Sequence, residues 1–150
     1  MPVESNIKVV DRSGNTVFLA DETGVKDGSN RMFQASEFIF DRIAPTPLAA
    51  YMWTCLEGVW QVTAVNCKFS VTGGAGTTVD VLVSPGVVAP AGTTQLTAPV
   101  VGVGTAPFSN NGVLIASPTL IFPGDSVSRV FAGTVGSVEG LLTIQLKRVQ

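Results

Sequence analysis

Residues 81–124 read VLVSPGVVAPAGTTQLTAPVVGVGTAPFSNNGVLIASPTLIFPG, 44 consecutive positions without a charge. Length and apolarity alone would allow a buried or spanning helix, but six prolines divide the run: Pro85, Pro90, Pro99, Pro107, Pro118 and Pro123. Each proline inside a helix removes a hydrogen bond and clashes with the preceding turn, at about 3 kcal/mol. What remains is a succession of short strands and turns. Such a chain offers few catalytic groups at its surface and suits packing and assembly.

The flanking segments extend the same pattern. Trp60 to Val71 alternates with a change of phase: Trp60, Val62 and Ala64 share one parity, and Val65, Cys67, Phe69 and Val71 the other, so a bulge is predicted near Ala64. Gly73-Gly74-Ala75-Gly76 turns the chain into Val79, Val81 and Val83, the inner face of a further strand. Pro85 to Thr94 is a connection, and Asn110-Asn111-Gly112 reads as a turn before Val113 to Ala116. Pro123-Gly124-Asp125 is a turn in which proline presets φ and glycine accepts positive φ. Val127 to Phe131 and the alternation Leu142, Ile144, Leu146 give two last strands, joined across Gly133 to Gly140. FSVTGGAGTTVDVLV and RVFAGTVGSVEGLLTIQL both read strand, glycine turn, strand, as two hairpins in corresponding positions of facing sheets. Short strands at this spacing predict an all-β sandwich or barrel.

Toward the N-terminus, Ile7 to Val10 and Thr16 to Ala20 flank Asp11 to Asn15 as a small hairpin or an extended arm with one turn. Asp21 to Asn30 is polar and glycine-bearing, as expected of a loop. Phe33 to Ile43 reads as a strand with Phe38 and Phe40 on one face and Ile39 and Asp41 on the other. Thr46 and Pro47 either open a short helix through Met52 or continue as strand.

Charge is unevenly spread: 12 of the 20 charged residues lie in the first 42 positions, leaving a nearly neutral body. A net charge of −2, with no cluster of lysine or arginine, gives no field to draw in nucleic acid. The 150 residues suit one domain burying roughly 70% of its unfolded surface. The opening MPVESNIKVVDRS has neither a basic segment nor a continuous apolar one, so no secretory signal is expected, and no transmembrane span is expected either. Cys55 and Cys67 have no metal-knuckle spacing and read as small buried hydrophobes rather than a bridge.

Enzyme chemistry finds little support. There is no histidine, which removes the commonest general base and metal ligand. No G-x-S-x-G elbow exists, because Ser128 stands where its final glycine would be. Glu57, Asp80, Asp125 and Glu139 are scattered through the body and read as isolated solvated carboxylates rather than a glycosidase pair. Asp21, Glu22 and Asp27 lack the spacing and final glutamate of a calcium loop. Gly73 to Thr78 lacks the phosphate-loop lysine and reads as a hairpin turn, and Pro107 occupies the third glycine position of a dinucleotide fingerprint at Gly102-Val103-Gly104. The chain is therefore expected to be no enzyme and to need no cofactor or metal. Tyr51, Trp53 and Trp60 read as core or protomer interface in preference to a sugar-stacking site.

The C-terminal half carries a resemblance. Ala89-Pro90-Ala91-Gly92-Thr93 followed by Leu96-Thr97, then Leu120 through Gly124-Asp125 to Val127, then Phe131-Ala132-Gly133-Thr134, resembles the small β-sandwich structural proteins of tailed bacteriophage virions, especially capsid decoration (cement) proteins. It covers about Trp60 to Val149. The resemblance implies a jelly-roll-like antiparallel sandwich over residues 46–150, commonly a homotrimer, on the outer capsid surface, bridging major capsid proteins after synthesis in the host cytoplasm. Residues 1–45 are then the attachment arm, and Val9, Phe18, Phe33, Phe38, Phe40 and Trp53 are assigned to the assembly interface. On this reading 1–42 could be removed without unfolding the sandwich. The alternatives are a head-spike base or tail adaptor, or a carbohydrate-binding adsorption module; nucleic acid and membrane are not expected partners, and a glycan less so than a capsid protein.

Overall fold

The computed structural model describes residues 7–10, 12–13, 16–21, 24–27, 36–86 and 90–149. The chain divides into two compact units, Met1–Ala35 and Ser36–Gln150. No helix occurs among the described residues.

In the first unit, β1 (Ile7–Val10), β2 (Thr16–Asp21) and β3 (Gly24–Asp27) form a three-stranded antiparallel sheet in sequence order. The hairpin of β1 and β2 follows the sequence expectation, with Val9 opposite Phe18. Residues 24–27, expected in a loop, instead pair with β2, Val25 opposite Ala20. A ladder is a property of the main chain, so a polar segment can extend a sheet when the preceding strand leaves an edge open.

The second unit contains β4 (Ser36–Ile43), β5 (Ala49–Thr54), β6 (Trp60–Val71), β7 (Thr78–Ser84), β8 (Thr93–Thr94), β9 (Val100–Val101), β10 (Phe108–Gly112), β11 (Leu120–Ile121), β12 (Ser126–Ala132) and β13 (Glu139–Arg148). Their pairing is nested: β4 with β13, β5 with β12, β6 with β10 and β11, and β7 with β8 and β9, all antiparallel. Such a nest is one long hairpin rolled up, and rolling sends successive pairs alternately into two sheets. The sheets run β10-β6-β13-β4 and β5-β12-β7-β8. This is the strand order of a jelly roll. The unit begins at Ser36, so the expected boundary after residue 45 falls between its first two strands, and β4 belongs to the sandwich sheet.

Period-2 alternation builds the core. Val79, Val81 and Val83 face Val127 and Phe131 along one sheet, and Leu142, Ile144 and Leu146 lie beside Val62, Val65 and Cys67 along the other, all buried. Each such side chain contributes about 1.5–3 kcal/mol on burial. The phase change in β6 is a bulge at Thr63: Gln145 pairs with Ala64 and Leu146 with Val62, and the Thr63 hydroxyl donates to the Gln145 carbonyl at 3.2 Å. Cys55 and Cys67 are both buried free thiols.

Two further expectations are corrected. Asn110-Asn111-Gly112 lies inside β10, with Asn111 opposite Asn66, rather than in a turn. Its polar residues belong to a strand with a solvent-facing side, where the Asn66 side-chain amide donates to the Ser109 hydroxyl at 2.9 Å and to Asn111 Oδ1 at 2.6 Å. The two glycine turns do not make hairpins either: β6 to β7 and β12 to β13 both cross between sheets. The two crossings dock on one another, Gly74 N donating to Thr134 O at 2.7 Å and Thr134 N to Ala75 O at 3.2 Å. At Gly133, φ is +81° and a Cβ would come within 2.1 Å of the Gly76 carbonyl, so only glycine permits that approach.

Candidate assembly surface

β4 is the edge strand of its sheet, paired with β13 on one side alone among the described residues. Its alternation sends Ile39 and Ile43 into the core and Phe38 and Phe40 outward. The two rings are 53% and 64% exposed and stack with centroids 6.4 Å apart. Across the ladder Phe40 faces Thr143, Phe38 faces Gln145, and Arg42 faces the outward Leu141, itself 41% exposed. Beyond Leu141 a groove of about 530 Å³ opens toward β6 and β10, floored by Leu141, Phe108 and Pro107 and flanked by Arg42, Glu139 and Lys68. Arg42 and Glu139 stand 3.6 Å apart across it. The stacked phenylalanines and the Leu141 groove thus lie on the same outward sheet face, with Arg42 and Thr143 beside them, and the groove is of the size that binds ligands or anchoring side chains.

The edge strand is held rigidly. Asp41, on its inner face, receives the Nε–H of Arg129 from β12 of the facing sheet, and the same guanidinium donates to the Pro47 carbonyl at 2.9 Å. Arg129 also lies over the Phe131 ring, 4.3 Å from its centroid. One buried cation therefore ties together both sheets and the connection between β4 and β5.

The six residues expected at an interface fall in different places. Phe38 and Phe40 share the outward face. Val9 and Phe18 are cross-strand partners in the first unit, and Phe33 lies outside the described residues. Trp53 turns inward: in β5 Tyr51 pairs with Ser128 but Trp53 with Val127, so Met52 is an extra residue and Trp53 packs edge-on against Trp60, 5.8 Å between ring centroids. The same bulge sends Tyr51 to the outer face and breaks up the aromatic trio. Leu141, which shares that outward face, is not among the six, although the alternation of GLLTIQL already sets it opposite in parity to Leu142, Ile144 and Leu146.

The scattered carboxylates each have a structural partner. Asp80 accepts from the Thr94 hydroxyl at 2.6 Å, Asp125 accepts from Phe122 N at 3.0 Å, Glu139 faces Arg42, and Glu57 lies 3.9 Å from Arg148. No group of three metal-ligating side chains occurs among the described residues. In the glycine turn, Gly73 N donates to Gly102 O at 3.1 Å and Gly74 N to Thr134 O, so these amides serve the fold. Burial pushes the Cys67 thiol up to about 12 and also raises Cys55, which marks both as protonated packing groups. No helix among the described residues is long and apolar enough to cross a membrane.

The sequence matches no family profile and no curated protein. Among solved structures the chain is similar to one in the "Acidic stable capsid structure of Helicobacter pylori bacteriophage KHP30", with a TM-score of 0.50 at 10% identity, over 99% of this chain and 95% of that one. At that identity the likeness establishes a shared fold. A chain from "Bacillus endospore appendages form a novel family of disulfide-linked pili" matches over 77% of this chain and 86% of that one at 16% identity, but its TM-score of 0.35 carries no argument.

Proposed function

We propose that this protein is a virion structural protein that decorates a bacteriophage capsid on its outer surface and stabilises it by bridging major capsid proteins. The observation that carries this reading is the stacked, exposed Phe38–Phe40 pair on a clamped edge strand, on the same outward sheet face as the Leu141 groove. Large rings held rigidly in water need a covering surface, and a jelly roll whose fold recurs in a capsid structure makes a shell the natural one. The function is mechanical and requires no catalysis: a subunit that binds assembled shell, and not its separated parts, shifts the equilibrium toward the shell. A homotrimer would add its contacts through effective concentration. The polar N-terminal unit is assigned to directed contacts along the shell. A spike base or tail adaptor on the same sandwich would occur in a few tens of copies per particle or fewer, against the hundreds expected of cement.

The test mixes the full chain with capsids of its parent phage that lack it. The two rings expose about 230 Å² together, and burying half of that at about 25 cal/mol/Å² contributes about 3 kcal/mol. Phe38→Ser/Phe40→Ser should therefore bind roughly a hundredfold more weakly while remaining folded. Undiminished binding by the double variant would reject this face. Failure of the wild-type chain to bind capsids at all would reject the function.

A further inference from the structure

Where β4 and β5, the edge strands of the two sheets, run past each other near the start of β6, a notch of about 190 Å³ opens. It is lined by Glu37 from β4, Trp53 and Thr54 from β5, Leu56 and Glu57 from the following loop, and Trp60. We propose that this notch is a saccharide site taking a single pyranose ring, with the Trp53 indole N–H as donor and Glu37 as acceptor.

The assignment rests on which groups are already used. The Trp60 indole N–H donates to the Glu57 carbonyl at 2.8 Å, and the Thr54 hydroxyl is engaged with Ser126 at 2.9 Å. By contrast, no described residue takes up the indole N–H of half-buried Trp53, and no buried side-chain nitrogen or oxygen among the described residues lacks a partner. The Trp53 N–H is therefore in contact with solvent, on a residue that lines the notch. Glu37 is likewise unpaired among the described residues. An idle N–H donor, an idle carboxylate and the apolar side chain of Leu56 suit a ligand that is apolar on one side and has hydroxyls that both donate and accept. A pyranose has that chemistry. Leu56, 85% exposed, supplies an apolar rim for the edge of the ring.

A basic side chain fits less well. It has no use for the Trp53 donor, and Arg148 already stands 3.9 Å from Glu57, placing a like charge beside the incoming one. The notch is also smaller than the roughly 300–1,000 Å³ of drug-sized pockets, which suits one sugar residue at millimolar affinity.

The chain has two tryptophans, so nitrogen-15 spectra of the full protein contain two indole N–H signals, one of which Trp53→Phe assigns by its loss. Titration uses D-glucose, D-galactose, D-mannose, L-rhamnose, N-acetylglucosamine and N-acetylgalactosamine, with arginine amide as the cationic probe. At least one sugar should shift the Trp53 indole saturably below about 100 mM. Glu37→Gln should weaken that response about tenfold, and Glu139→Gln, in the groove on the outer sheet face, should leave it unchanged. The proposal is overturned if no sugar moves the Trp53 signal saturably, if Glu37→Gln binds as tightly as the wild type, or if arginine amide saturates the site where sugars do not. None of these outcomes bears on capsid binding, which is measured separately through Phe38 and Phe40.

Discussion

Asp41→Asn is the substitution by which the clamp on the edge strand can be measured. Asn is nearly isosteric, so it removes the charge and little volume. The Arg129 side chain, 4% exposed, would keep the Pro47 carbonyl and the Phe131 ring but lose the carboxylate that neutralises it. Breaking a buried ion pair from one side costs about 3–5 kcal/mol. Asp41 is 29% exposed and water can reach part of the guanidinium's field, so about 3 kcal/mol is expected. For a unit of this size that lowers Tm by roughly 10–15 °C. Urea unfolding followed by fluorescence is the assay, since Trp53 and Trp60 both pack on the core and report its loss. The double change Asp41→Leu/Arg129→Met removes both charges and should lie within about 1 kcal/mol of the wild type, because two buried ions replaced by apolar groups cost little. A loss below about 1 kcal/mol in Asp41→Asn, or a double variant as unstable as the single, would refute the clamp.

Two further outcomes follow from packing and titration. Gly133→Ala, at φ +81° and 2.1 Å from the Gly76 carbonyl, should cost at least about 2 kcal/mol by undocking the crossings, whereas Gly136→Ala, with nothing within 4 Å of its Cβ, should be neutral or slightly stabilising in the same unfolding experiment. The Cys67 thiol stays protonated in the folded state up to about 12 but ionises from 9.0 when unfolded, so the unfolded chain holds fewer protons and stability falls as pH rises above 9.0. At pH 10 the loss is about 1.4 kcal/mol, and Cys67→Ala should remove the share of the pH dependence that comes from this residue, which denaturant midpoints at pH 8 and 10 would reveal.

What could be read in the sequence was whatever alternation alone encodes. The valines of β7, the Thr63 bulge to within one residue, and the opposite faces of Phe38 and Ile39 all follow from a period of two. Where side-chain chemistry mimics another local structure, the reading failed: Asn110-Asn111-Gly112 has turn composition because β10 shows polar residues to solvent. Whether a glycine turn keeps two strands in one sheet or passes them to another is set by partners distant in sequence, so the crossings were misread as hairpins. The direction of Trp53 depends on an extra residue at Met52 that no local composition marks. Excising residues 1–42 would likewise remove most of β4, including Ile39 and Asp41, because β4 takes its partners from residues 140–147, beyond the reach of any local pattern.

The same strand also shows how association can be directed. A free sheet edge invites pairing with any other edge, and proteins suppress this with charges on the strand, above all charges that point inward. β4 carries Glu37, Asp41 and Arg42 within eight residues, and Asp41 is such an inward charge, tolerated because Arg129 reaches it from the other sheet. A foreign strand added to this edge would have to place a residue beside that ion pair, and a slip of one position would bring its apolar face into water. The outward face pays no such penalty, since Phe38, Phe40 and Leu141 need only to be covered. Arg129 thus both fixes the strand and makes its edge the less favourable surface, which is consistent with the proposed face-on contact through the phenylalanine pair. On this argument the Asp41→Leu/Arg129→Met variant, although stable, should self-associate more than the wild type as its concentration is raised, and light scattering that shows equal association in the two proteins would remove the edge-protecting role from the clamp.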